Sequence, residues 1–172
     1  MTGLSGAGKS TLANALKARL TEDRYLVTVL DGDVLRQGLN AGLGFNSADR
    51  LENIRRTAEV AALLLNEGFV VISALISPEA THRHLARSII GPRFFEVHVD
   101  SSLAVCESRD PKGLYARARR GELRQFTGVS ATYEAPVAPD IAIDTGHWPI
   151  SEAAAKLHAF VRERIRPVRI ER

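Results

Sequence analysis

Eight residues near the start of the chain, Gly3-Leu4-Ser5-Gly6-Ala7-Gly8-Lys9-Ser10, have the spacing Gly-x-x-x-x-Gly-Lys-Ser, which suits a loop that holds polyphosphate. Glycines at 3, 6 and 8 allow positive φ and turn successive N–H groups toward one centre. Lys9 then reaches the β- and γ-phosphates of a nucleotide, and the Ser10 hydroxyl, with Thr11 beside it, is placed to ligate magnesium. Leu12, Leu16 and Leu20, with Ala13 and Ala15, predict a helix directly after the loop, whose positive end faces the phosphates.

A second group of charged residues follows. Tyr25 to Leu30 is an apolar run rich in β-branched residues, as a buried parallel strand requires. Asp31-Gly32-Asp33 stands at its C-terminal end, the edge where ligands bind in open α/β sheets. Arg36 lies one helical turn beyond Asp33. Phe45, in the glycine-interrupted stretch 40–46, has no periodic core partner and reads as a surface for a stacked base. A helix is predicted over 49–65, with Asp49 and Glu52 as its capping pair. Arg50, Asn53, Arg55 and Arg56 crowd its first turns, and positive charge at a helix N-terminus is unfavourable unless an anion sits there.

The elements that must carry these residues alternate. Phe69–Ile76, Phe94–Val99 and Asp140–Thr145 read as further strands. Helices are expected from Pro78 to Ile90, around Leu103, Val105 and Cys106, and through Ala153, Leu157, Phe160 and Ile165, the last with its arginines forming a solvated face and tail. The charged, glycine-broken stretch 109–133 has the character of a mobile lid, carrying Arg109, Lys112 and Phe126. Alternation with right-handed crossovers and a phosphate loop predicts an α/β, three-layer P-loop sandwich with about five parallel strands.

At 172 residues and 45% hydrophobic, a single domain spanning 1–172 is expected. A net charge of +3 with an excess of arginine fits a small anionic substrate better than a nucleic-acid track, and no nucleic-acid motif is present. The apolar runs are too short to span a membrane, and the single Cys106 excludes an internal disulfide; a reducing cytoplasm is the expected location. A GTPase would need an Asn-Lys-x-Asp base-reading motif, which is missing. Only Met1 and Thr2 precede the loop, so the central strand is expected to be truncated. We therefore expect the chain to be a shortened form of a longer polypeptide.

Read in order, Asp31-Gly32-Asp33, Gly38-Leu39-Asn40, Leu43-Gly44-Phe45, Asp49-Arg50, Asn53-Ile54-Arg55-Arg56, Ile76-Ser77-Pro78, Arg109-Asp110-Pro111-Lys112-Gly113-Leu114-Tyr115 and Phe126-Thr127-Gly128 resemble the adenylyl-sulfate kinase family from Gly3 to about Thr145. The resemblance implies transfer of the γ-phosphoryl of ATP to the 3′-hydroxyl of adenosine 5′-phosphosulfate, with Mg2+, and a homodimer or fusion to a sulfate adenylyltransferase domain. The alternative from another class is a non-catalytic or regulatory P-loop module of such a fusion. By the resemblance, Asp33, Arg36, Phe45, Arg50, Asn53, Ile76, Ser77, Lys112 and Phe126 surround the phosphosulfate substrate, and Gly3 to Thr11 hold ATP, with Arg109 against its adenine. Arg36, Arg50 and Asn53 suit its oxyanions, and Phe45 and Phe126 its adenine. Asp33 is the expected proton acceptor, Asp31 with Ser10 the support for magnesium, and Lys9 with Lys112 the charges on the transferred group. Ser77 matches the family's active-site serine, though direct in-line transfer needs no phosphoserine.

Overall fold

A computed structural model describes residues 1–165. The strands are β1 (Val27–Asp31), β2 (Val70–Ala74), β3 (Val97–Asp100) and β4 (Ile141–Asp144). Each is one to three residues shorter than its predicted run. β1 pairs in parallel with β2 and β3 with β4. Between β2 and β3 lie residues 1–3: the Met1 amino group donates to Ser73 O, Thr2 N–H donates to Val97 O and Val99 N–H donates to Thr2 O. The fifth parallel strand is thus reduced to a bridge at Thr2 opposite His98, and the spatial order is β1, β2, bridge, β3, β4.

Helices α1 (Lys9–Glu22), α2 (Gly32–Leu35), α3 (Ser47–Asn66), α4 (Ala80–Ile90), α5 (Leu103–Arg109), α6 (Leu114–Arg119) and α7 (Ile150–Arg162) complete the architecture. Leu12, Leu16 and Leu20 of α1 pack with Leu157 and Phe160 of α7 and with Ile72, Val97, Val99 and Ile143 of the strands in one buried cluster. Ile54, Ala58 and Ala61 of α3 are buried outside that cluster, where α3 packs on α4 and β2. Helices thus cover both sides of the strands, as the sequence predicts. Cys106 is fully buried as an apolar filler. No described helix is long and apolar enough to cross a membrane. The arginine tail at Arg166, Arg169 and Arg172 lies outside the described residues.

Two helix starts differ from expectation. α3 begins at Ser47, with Asn46 as its cap: Asn46 Oδ1 accepts from Asp49 N–H, and Asp49 Oδ2 accepts from Asn46 Nδ2 and from Gly44 N–H. Asp49 is therefore the partner of the cap, and Glu52 instead takes the guanidiniums of Arg55 and Arg56. α4 starts at Ala80, two residues after Pro78, because Glu134 reaches across from the 109–133 region's far end and accepts Ala80 N–H at 2.7 Å.

Candidate active site

α1 is entered through Gly8, whose φ of 89° is left-handed, and no side chain caps it. The N–H groups of its first turn are left without a side-chain acceptor, and Gly8, Lys9, Ser10 and Thr11 line a cavity of about 1140 Å³. The other loop glycines serve packing. A Cβ on Gly3 would stand 2.4 Å from Val99 O, and one on Gly6 would stand 2.8 Å from Cys106 O. Gly3, Leu4 and Ala7 do not reach the cavity. Gly3 and Leu4 offer their carbonyls to Lys9 Nζ at 2.9 and 2.7 Å, while buried Ala7 gives its carbonyl to Thr145 Oγ1. Burial pulls the Lys9 ammonium down to about 8, against the raising effect of neighbours that include Asp33 and Asp31.

The ends of β1 and β2 supply the opposite wall. Asp31 caps α2 through Oδ1, which accepts Asp33 N–H, and Oδ2 accepts Ser10 Oγ–H at 2.5 Å. Two hard oxygen donors are thus adjacent beside the phosphate loop. They fit magnesium, which is commonly held by one or two protein oxygens with the rest of its shell from phosphates and water. Among the described residues there is no cluster of three or more acidic, His or Cys side chains for a dedicated metal cage. Asp33 is paired across the cavity with Lys112 Nζ. Ile76 and Ser77 follow β2, and Ser77 holds a left-handed φ of 45°. Its carbonyl is gripped by Arg83 at 2.9 Å and Thr2 Oγ1 at 3.3 Å. No described side chain hydrogen-bonds Ser77 Oγ.

Arg36, Phe45, Arg50 and Asn53 gather at one end. The Arg36 guanidinium lies 4.3 Å from the Phe45 ring centre and donates to Leu43 O. Arg50 donates to Phe45 O at 2.7 Å and to Gln125 O at 2.9 Å. Burial pulls both guanidinium pKa values below their usual range, with Arg36 adding to the effect on Arg50. Two partly desolvated cations in one pocket are relieved by an anion. Phe45 remains 55% exposed, so it is not a core plug. Arg55 and Arg56 are absent from this wall; as a pair on Glu52 they form the solvated face, and the anion argument holds for Arg50 alone among the three.

Residues 109–133 close the remaining side. Arg109 donates to Thr145 O at 2.6 Å and to Gly6 O at 3.4 Å. Phe126 meets Tyr115 edge-on at 5.1 Å, and the buried Tyr115 donates its O–H to Ser5 O. Thr145, Trp148 and Ile150, beyond the end of β4, also line the cavity and were not anticipated. The rule that picked Asp31, namely that ligands meet the C-terminal ends of parallel strands, would have found them if applied to the last strand.

Sequence comparison agrees with this geometry. The family described as adenylylsulphate kinase matches residues 1–144. The chain belongs to the adenylyl-sulfate kinase family. It is 61% identical over 161 residues to the adenylyl-sulfate kinase of Paraburkholderia xenovorans, covering 94% of this chain and 90% of that one. It is 54% identical over 157 residues to that of Shewanella amazonensis, covering 91% and 79%. Among solved structures, the APS kinase of Mycobacterium tuberculosis in complex with AMPPNP and APS superposes with a TM-score of 0.91 at 48% identity, covering 94% of each chain. A gluconokinase from Sinorhizobium meliloti, at 19% identity and a TM-score of 0.61, shares the fold alone.

Proposed function

We propose that this site transfers the γ-phosphoryl group of ATP to the 3′-hydroxyl of adenosine 5′-phosphosulfate, giving 3′-phosphoadenylyl sulfate and ADP in sulfate assimilation. The observation that carries the reading is one continuous cavity with an uncapped phosphate loop on one side, the Arg36–Phe45–Arg50–Asn53 group on the other, and Asp33 between them. At about 1140 Å³ it exceeds the roughly 300 to 1,000 Å³ of a pocket for one drug-sized ligand, as two nucleotides side by side require.

In this reading the loop N–H groups and Lys9 hold the β- and γ-phosphates. Magnesium, held through Ser10 and Asp31, neutralises phosphate charge when bound. Arg36, Arg50 and Asn53 hold the phosphosulfate, and Phe45 and Phe126 flank its adenine. The 3′-oxygen attacks the γ-phosphorus in line, the bond to the β–γ bridging oxygen breaks, and the hydroxyl proton passes to the Asp33 carboxylate. Lys9 and Lys112 offset the charge that develops on the transferred group. No described side chain hydrogen-bonds Ser77 Oγ, which supports direct transfer, with Ser77 shaping the substrate wall beside Ile76. Arg109 borders the ATP side, and residues 109–133 act as the lid. Assembly as a homodimer, or with a sulfate adenylyltransferase domain, and a cytoplasmic location accompany this reading; analytical ultracentrifugation checks the first.

ADP release measured with and without adenosine 5′-phosphosulfate tests the reaction. Turnover should require the acceptor and fall roughly 10²-fold or more in Asp33→Asn, with Ser77→Ala retaining most activity. Acceptor-independent ADP release, or near-normal turnover in folded Asp33→Asn, overturns the assignment. A Ser77→Ala protein without activity, alongside a phosphoserine competent for transfer, overturns the direct route.

A further inference from the structure

Behind Asn53 of the anion-binding wall lies a buried polar chain, whose other members the reaction does not use directly. Asn40, fully buried in the 36–46 loop, donates from Nδ2 to Asn53 Oδ1 at 2.6 Å and faces Thr57 Oγ1 at 3.5 Å. Thr57, one turn along α3 from Asn53, donates its own hydroxyl proton to Asn53 O at 2.7 Å. These contacts fix which end of each amide points where. With its proton committed, Thr57 Oγ1 presents only lone pairs to Asn40, so the atom facing it must be the amide nitrogen. The same NH2 carries a second hydrogen and gives it to Asn53, whose facing atom must then be the oxygen. Asn53 Oδ1 is thereby occupied, and its NH2 is the end left for the cavity that Asn53 lines. An anion meets a donor there and not a carbonyl oxygen.

We infer that Asn40 is a positioning residue for substrate recognition: it locks the Asn53 side-chain amide with its NH2 toward the anionic acceptor substrate, through a hydrogen-bond relay anchored on the α3 backbone. The inference rests on the proposed function for the identity of that substrate. Asn40 Oδ1 supports it from another direction, because it is buried with no partner. An unsatisfied buried carbonyl is a recurring penalty that an apolar side chain of the same shape would avoid. The hydrogen bonds that offset this penalty are the two that Nδ2 makes, and both lead to the α3 residues of the relay.

Two variants of nearly unchanged shape separate the roles. Asn40→Leu removes the orphaned oxygen but leaves Asn53 Oδ1 and Thr57 Oγ1 without their donor, two effects of opposite sign, so the thermal midpoint should move little while KM for adenosine 5′-phosphosulfate increases about 10-fold, the scale of a hydrogen bond to a charged group. KM for ATP should stay within about twofold. Asn40→Asp supplies acceptors only, turns the Asn53 carbonyl toward the anion and should raise the acceptor KM further. In an Asn53→Ala background, Asn40→Leu should add nothing. An unchanged acceptor KM in both folded variants, or an effect of Asn40→Leu that persists undiminished without Asn53, overturns the inference. Side-chain amide NMR on the wild type reads the orientation without turnover: the Asn40 NH2 protons should exchange slowly with solvent and those of Asn53 quickly, and the reverse order overturns it. Absent acceptor-dependent turnover in the wild type would instead count against the function, leaving the amide exchange to judge the relay.

Discussion

Lys9 is far from a solvated cation in the resting state. It is 9% exposed, and its ammonium donates to two loop carbonyls. Its folded pKa of about 8 lies below the ordinary 10.5, so between those values the unfolded chain binds more protons than the folded one. The stability contributed at this position therefore rises as pH goes from about 8 to 10.5. Phosphate binding has the opposite sign, since it needs the charged form: ATP affinity should fall about tenfold per pH unit above pH 8. Chemical denaturation and ATP titration across pH 7 to 10, each compared with Lys9→Met, should show the two trends diverging. Parallel trends would mean that Lys9 is not the titrating group. The lysine itself was plain in the sequence from its motif. Its depressed pKa was not, because burial depends on how Gly3 and Leu4 fold back over it.

At the scale of elements, the phosphate loop owes its shape to what lies behind it as much as to what it holds. Gly6, with φ of 76°, leaves no room for a Cβ against the Cys106 carbonyl in α5, whereas Gly8, at 89°, has open space around the same position. Gly6→Ala must push α5 away and should lower the thermal midpoint by several degrees more than Gly8→Ala. Calorimetry of the two unliganded variants compares them, and equal midpoints would show that α5 yields freely. Neighbours of this kind are invisible in a linear sequence, as are the partners that set helix starts. Asn46 does not stand out as the α3 cap in the sequence, because Asp49, its reciprocal partner three residues on, carries the more conspicuous charge. Glu134 caps α4 from 54 residues away, beyond any local pattern. By contrast, the parallel strands, the Asp31-Gly32-Asp33 turn and the amphipathic faces of α3 and α7 were legible because they depend on spacing within one element.

On the scale of the whole molecule, the two strand pairs carry different halves of the cavity. β1 and β2 lead to Asp31, Asp33 and Ser77, and β3 and β4 lead toward Arg109, Thr145 and Trp148. Lys112 spans the gap by pairing with Asp33, and this contact imposes an order in time. While the lysine holds it, one carboxylate oxygen already has a donor and is not open to the acceptor hydroxyl. A γ-phosphate arriving on the loop offers Lys112 a more highly charged partner, and only after that exchange is Asp33 free to take a proton. Acceptor bound to the empty protein would thus wait beside a disarmed base. Rapid-mixing experiments check this chronology: enzyme preloaded with ATP should react with acceptor without delay, while enzyme preloaded with acceptor should show a lag before ADP forms. The lag should vanish in Lys112→Ala, even as that variant turns over more slowly.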